Sequence, residues 1–253
     1  MMMSIRGLRE VRSLIQEAHH IVVITGAGVS AESGIPTFRG PGGGGLWQEY
    51  DDPTRLATPE AFAANPSLVW EFYEYRRKVV AAASPNTCHM WCAELQKIKE
   101  NDGKDFTLMT QNVDRLHQAA GSHNIIELHG SLWLVKKSSD AAHTHTFIED
   151  GVNVWEDRNV PITPAFANID QPPDHHHHIT VPIGELPHRD GRLLRPAVVW
   201  FGEALDKDTL ASANKAMSSC DLLLVLGTSS VVYPAAGFAD TALKRNIPRQ
   251  SYL

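Results

Sequence analysis

The apolar run Ile21-Val22-Val23-Ile24-Thr25 leads directly into Gly26-Ala27-Gly28-Val29-Ser30-Ala31. A short β-branched run reads as a buried strand. Glycines placed just after it let the backbone turn tightly and approach a ligand phosphate, with backbone N–H groups aimed at the anion. A dehydrogenase would continue as a helix and then a strand ending in a ribose-binding acid. Here the chain instead runs through Ser33-Gly34-Ile35-Pro36-Thr37-Phe38-Arg39-Gly40-Pro41 and four further glycines, Gly42 to Gly45. That composition predicts a long loop over the nucleotide. The expected ligand is a covered, bent dinucleotide whose nicotinamide end leaves and does not carry hydride.

Three further groups carry chemistry. Gln111, Asn112 and Asp114 follow the run Phe106–Thr110, and the end of a strand is where an open parallel sheet binds its ligand. Their amides can hydrogen-bond ribose and nicotinamide, and Asp114 can accept from a hydroxyl or a carboxamide; a plain polar turn is the alternative. His129 closes the next short run, Ile125–Leu128, and imidazole titrates near neutrality, which suits a general base on a ribose hydroxyl. Gly227-Thr228-Ser229 repeats the strand-to-turn junction after Leu222–Leu226, and Val199 to Glu203 reads as a strand edge open to a peptide or as a core strand.

On a helix starting at Asn65-Pro66 and running to about Ala83, ~100° per residue puts Val69, Tyr73, Arg76 and Val80 on one stripe. Glu71, Glu74 and Lys78 lie opposite, as a polar face. An arginine on the apolar stripe beside a phenol suits a carboxylate ligand, by bidentate pairing plus one hydroxyl donor. A buried structural ion pair is the alternative.

Strand-like runs at Ile21–Thr25, Phe106–Thr110, Ile125–Leu128, Ala197–Phe201 and Leu222–Leu226 alternate with helical patterns, among them Pro85 to about Lys99 and Pro234 to Arg245. This predicts an α/β fold, a Rossmann-like doubly wound parallel sheet with a smaller inserted module. The core is expected at about 1–50, 104–133 and 192–253, with a helical insertion at about 51–103. A polar, Pro- and His-rich insertion spans about 134–191. The 253 residues can bury a substantial core, 43% of them being hydrophobic and 21% charged. A net charge of −6 gives no basic footprint for nucleic acid, and no apolar run approaches the ~20 residues of a membrane span. The 3 cysteines, Cys88, Cys92 and Cys220, are too few for a disulfide framework, so an intracellular, reducing compartment is expected. Ile5, Leu8, Val11, Leu14 and Ile15 form the stripe of a first helix, which argues against a removable presequence.

The segments Gly26–Arg39, Thr110–Asp114, Leu128-His129-Gly130, Val199–Glu203 and Gly227–Ser229 resemble, in order, the motifs of the sirtuins, NAD-dependent protein lysine deacylases. The Tyr-x-x-Arg at Tyr73 and Arg76 is similar to the class III, mitochondrial-type branch, which grips the free carboxylate of malonyl-, succinyl- and glutaryl-lysine. The resemblance implies NAD as cofactor, held by Gly26, Ala27, Gly28, Ala31, Pro36, Thr37, Phe38, Arg39, Gln111, Asn112, Asp114, Gly227, Thr228 and Ser229. It implies catalysis by His129 and Asn112, and acyl-lysine proteins bound through Tyr73, Arg76, Val199, Phe201 and Gly202. The acyl-lysine carbonyl oxygen attacks C1′ of the ribose, nicotinamide leaves, and O-acyl-ADP-ribose forms. A mitochondrial location follows by resemblance, with cytoplasm or nucleus as runner-up.

Two departures bear on the alternatives, a degenerate sirtuin serving as an NAD-binding or regulatory module, a general deacetylase, or a mono-ADP-ribosyltransferase. Residues 134–191 contain no cysteine, although the family carries a structural zinc on four; Lys137, Ala141, Thr163 and Arg189 stand near those places. No metal is therefore expected, with His143, His145, His175 to His178 and His188 as the remaining donors. Cys88, His89 and Cys92 read as a buried helix face. After Pro248 the family adds a strand and a loop toward adenosine, and residues 249–253 are expected to be too few to supply them.

Overall fold

The computed structural model describes residues 7–37, 53–138, 154–169, 178–228 and 235–252. They fall into two compact units: residues 1–33, 84–128 and 205–253, and residues 34–83 and 129–204.

The first unit is built on a sheet of β1 (His20–Thr25), β2 (Asp105–Thr110), β3 (Ile126–Glu127), β8 (Leu222–Leu226) and β9 (Arg249–Tyr252). The order is β3-β2-β1-β8-β9, and every pair is parallel. Alternation along β1 explains the two layers of helix. Ile21 and Val23 point to a cluster with Leu14, Ile15 and Ala18 around α1 (Leu8–Glu17), and with Cys92 and Leu95 of α6 (Thr87–Asn101). Val22 and Ile24 point the other way, against Ala213, Ala216 and Met217 of α8 (Lys207–Ser219) and Phe238 and Ala242 of α9 (Ala235–Lys244). A strand buried on both faces has no reason to alternate with polar residues, hence the unbroken apolar runs. The sheet is doubly wound, and its ligand crevice lies where connections leave β1 and β8 in opposite directions.

The second unit holds α3 (Pro53–Leu56), α4 (Pro59–Ala64), α5 (Pro66–Ala82) and an antiparallel sheet. Its strands are β4 (Gly130–Lys137), β5 (Val154–Glu156), β6 (His188–Arg189) and β7 (Arg192–Val198), in the order β5-β4-β7-β6. Helix α5 starts as the sequence predicts, with the Asn65 side chain accepting the Leu68 N–H and Pro66 in the first turn.

Four expectations are corrected. Ala197–Phe201 is not a strand of the parallel sheet: Asp190-Gly191, with φ of 52° and 74°, closes a tight β6–β7 hairpin, and such a turn only joins antiparallel strands. The module boundaries differ as well, since α6 packs on the parallel sheet while β4 and β7 belong to the second unit. Arg249–Tyr252 does form a strand, pairing with Leu223–Leu226 along the sheet edge. Finally, the polar face of α5 is buried. Glu71, Glu74 and Arg77 are 4%, 0% and 1% exposed, because the loops of its own unit wrap that side. Glu71 accepts the Ile179 N–H (2.9 Å) and Glu74 the Ile162 N–H (3.0 Å). Arg77 donates to the Leu132, Asp157 and Asn159 carbonyls and to the Asp157 carboxylate. Lys78 donates to the carbonyls of Ala167 and Ile169.

Candidate functional site

In the first unit, the turns after β1 and β8 interlock. Gly26 N–H donates to Leu226 O (3.0 Å), and Gly28 N–H donates to Gly227 O (2.8 Å). A Cβ on Gly26 would lie 2.6 Å from Thr228 Cβ, and one on Gly28 2.9 Å from Gly227 O. Gly227 has φ +59°, and a Cβ there would lie 2.3 Å from Val29 N. The three glycines therefore let two turns share space no side chain could enter. The expected phosphate donors are largely committed: the Val29 and Ser30 amides, in the short helix α2 (Gly28–Ala31), donate to Gly26 O and Ala27 O just before it, leaving the Ala27 N–H without a protein partner among the described residues. Ala31 is exposed at the end of that helix.

Beneath the turn lies a saturated polar cluster. Ser30 Oγ donates to Asp114 Oδ2 (2.7 Å) and accepts from Asn112 Nδ2 (3.0 Å), with His89 Nε2 at 3.4 Å. The other Asp114 oxygen accepts the Leu116 N–H (2.9 Å), and Gln111 Nε2 reaches Thr228 Oγ1 (3.2 Å). The sequence-predicted Gln111, Asn112 and Asp114 thus converge on the two glycine turns. Asn86, the cap of α6, ties in from behind by donating to Val29 O and Ser33 Oγ. His117 Nε2 bonds Thr25 Oγ1 (3.0 Å), while its Nδ1 is buried without a partner among the described residues. Burial, with the neighbouring His89, pushes the His117 imidazole down to about 3.

In the second unit, His129 is half-buried at the start of β4, and its carbonyl accepts the Val199 N–H (3.0 Å). Gly130 follows with φ +73°, and a Cβ there would lie 2.1 Å from Ala197 O, so this turn requires glycine. The acyl-binding candidates also meet here. Tyr73 is 1% exposed and its Oη accepts the indole N–H of Trp200 (2.8 Å). The guanidinium of Arg76 lies over the rings of Phe72 and Tyr73, 5.4 and 5.3 Å from their centroids. Burial pushes the Tyr73 phenol upward, although Arg76 works against it. Val199–Gly202 is a turn and not an open strand edge. Val199, Trp200 and Phe201 N–H groups are bonded to His129 O, Glu203 Oε2 and Ala57 O, the Trp200 carbonyl accepts the Glu203 N–H (3.0 Å), and the Phe201 ring is 44% exposed.

Pro36 and Thr37 are half-buried in the second unit. Phe38, Arg39 and Ser229, like His143, His145 and His175–His177, lie outside the described residues. The residues near the family's zinc positions do not fit a dication. Lys137 Nζ and Arg189 Cζ stack on Trp155, 5.7 and 4.3 Å from its centroid, and Lys137 pairs with Asp190 (3.0 Å). Thr163 Oγ1 donates to Glu185 O. Cys92 packs in the core against the parallel sheet with Cys88 beside it, and His89 serves the Ser30 cluster. Sequence reasoning missed Ser30, His117 and Trp200. Only Trp200 left a signal: an indole inside a segment that reads as a peptide-binding strand edge or as a core strand.

The Sir2 family model matches residues 26–234. The chain is 45% identical over 246 residues to the NAD-dependent protein deacylase sirtuin-5, mitochondrial, of Xenopus tropicalis, covering 96% of this chain and 75% of that protein. It is 45% identical over 243 residues to the NAD-dependent protein deacylase of Daphnia pulex, covering 94% and 83%. Among solved structures it resembles a Sir2 homolog–NAD complex, with a TM-score of 0.77, 39% identity, and coverage of 99% of this chain and 84% of that one. A Sir2 homologue mutant with 2′-O-acetyl ADP-ribose gives 0.75, at 38% identity, covering 97% and 84%. The glycine turns, the Gln111–Asp114 cluster and the likeness to these relatives agree: this chain belongs to the Sir2 family, on the class III branch of the sirtuin-5 proteins.

Proposed function

We infer that the protein is an NAD-dependent protein-lysine deacylase acting on acylated proteins, and that it prefers acidic acyl groups: malonyl, succinyl and glutaryl. The observation carrying the preference is Arg76, a guanidinium stacked on Tyr73 on the apolar side of a buried helix. A cation there offers a carboxylate charge-assisted hydrogen bonds in a low-dielectric setting, with a phenol beside it. The relatives' names say NAD-dependent deacylase; the acyl class is our reading.

The interlocked Gly26, Gly28 and Gly227 turns provide the close backbone approach that a dinucleotide requires, so these residues fit NAD. When bound, NAD supplies an anomeric ribose carbon that nicotinamide can leave and an ADP-ribose that takes the acyl group. Ser30 holds Asn112 and Asp114 in fixed orientation for the ribose and carboxamide. His129 serves as the general base that removes a ribose hydroxyl proton, and Asn112 assists catalysis. Mitochondria are the proposed compartment. No helix among the described residues is long and apolar enough to cross a membrane.

The reading is tested by incubating the protein with NAD and matched succinyl-lysine and acetyl-lysine peptides, following nicotinamide and O-acyl-ADP-ribose by mass spectrometry. Faster turnover of the succinyl peptide supports it. Equal turnover leaves a general deacetylase, and NAD binding without turnover leaves a regulatory module. The regulatory alternative loses one argument, because β9 pairs with β8 along the sheet edge.

A further inference from the structure

The Tyr73 hydroxyl sits in an unusual bond. Its oxygen accepts the Trp200 indole N–H, a group that can only donate. Among the described residues nothing accepts the proton of the hydroxyl itself. A phenol whose lone pair is already engaged by an N–H must present its own O–H as a donor.

Trp200 is in turn held from several directions. Its backbone N–H donates to Glu203 Oε2 (2.8 Å), and the Arg195 guanidinium lies 3.3 Å from its ring centroid. Glu203 grips that guanidinium with both oxygens, at 2.6 and 2.9 Å, while the Phe62 ring packs at 5.4 Å. Burial works to raise the Glu203 carboxyl, but the paired Arg195 more than offsets it and holds Glu203 ionised below the usual range. The indole therefore has one orientation, and its N–H has one target.

Resting on the acidic-acyl reading, we propose that Trp200 is a specificity-determining positioning residue: it polarises the Tyr73 hydroxyl into an obligate donor aimed at the carboxylate of the acyl chain. A phenylalanine at 200 would keep the ring but free the phenol to accept as well as donate. The phenol would then serve a neutral acyl chain as readily as an anionic one, and the discrimination left would be that of Arg76.

The test compares wild type, Trp200→Phe, Tyr73→Phe and the double variant on succinyl-lysine and acetyl-lysine peptides with saturating NAD. Trp200→Phe should lower kcat/KM for succinyl-lysine by about 10-fold, mainly through KM, and leave acetyl-lysine within about twofold. The double variant should lose no more than Tyr73→Phe alone, because both remove the same donor. If Trp200→Phe folds poorly, benzothienylalanine at position 200 replaces only the N–H by sulfur and should give the same succinyl-selective loss. Equal losses on both peptides, or additive losses in the double variant, would overturn the proposal while leaving the acidic preference intact. A wild-type protein with no succinyl preference would instead remove the reading on which the proposal rests, and the proposal with it.

Discussion

The imidazoles of His89 and His117 meet edge to face, their centroids 4.7 Å apart and their planes at 61°. Both are buried, one bonded toward Ser30 and the other to Thr25, and burial lowers both; for His89 the Asp114 charge opposes the shift. Two neutral histidines can share this space, but two imidazolium ions cannot.

This pair makes acid sensitivity measurable. His117 titrates near 6.5 when unfolded and at about 3 when folded. The unfolded state therefore binds more protons in that window, and stability rises with pH through it and falls as pH drops. His117→Gln keeps a donor for Thr25 and removes the titration. Urea unfolding from pH 4 to 7 should show a slope reduced by up to one proton, about 1.4 kcal/mol per pH unit. Identical slopes in the two proteins would mean that His117 is protonated in the fold.

His129→Ala should lower the rate of deacylation by ~10²–10⁴-fold, the usual contribution of a general base. NAD binding, followed by calorimetry, should persist, because the glycine turns and the Ser30 cluster are made without His129. Near-wild-type turnover in this variant would remove it from the mechanism.

Arg76→Met preserves the stacked hydrocarbon length over Phe72 and Tyr73 but removes the charge. A charge-assisted contact contributes about 1.5–3 kcal/mol, so kcat/KM for succinyl-lysine should fall ~10–100-fold while acetyl-lysine changes little. A parallel fall on both peptides would make Arg76 a support of the helix and not of the substrate.

The Trp155 stack predicts indifference to chelators. Thermal unfolding should not shift after dialysis against EDTA, and elemental analysis should find no stoichiometric zinc. Trp155→Ala should lower stability by roughly 1–3 kcal/mol through loss of two cation–π contacts and ring burial. One zinc per chain surviving the chelator would point to the histidines between 143 and 188.

The doubly wound sheet was legible because Ile21–Ile24 of β1 and every residue of β8 are apolar, a pattern only a strand covered on both faces needs. The glycine turn was legible for a similar local reason: its steric demand falls on residues adjacent in sequence. What could not be read locally came from distant chain. Glu71 and Glu74 looked solvated because their partners, Ile179 and Ile162, lie 108 and 88 residues away. The carboxylates took buried backbone amides, a need that helical periodicity does not encode. The hairpin at Asp190-Gly191 carries a local signal in its Asp-Gly pair, but the apolar run at Ala197–Phe201 taken alone reads equally well as a parallel strand. Four residues of β9 are too few to announce a strand, and the exposed edge of β8 recruits them.

Helix α5 interleaves two kinds of residue, and this restricts how the protein can change. Tyr73 and Arg76 are the residues proposed to meet the acyl chain, while Glu71, Glu74, Arg77 and Lys78 hold the surrounding loops and strand β4 by hydrogen bonds. The rod presenting the phenol and guanidinium is thus stiffened before any substrate arrives, so little ordering remains for binding to impose. It also means that drift toward a different acyl length cannot use Glu71, Glu74, Arg77 or Lys78 without loosening the loops they hold. A substitution at the residue after either of them, Glu74 or Arg77, unfastens backbone groups of the surrounding unit, and inherited selectivity is protected by the same bonds that keep the helix folded.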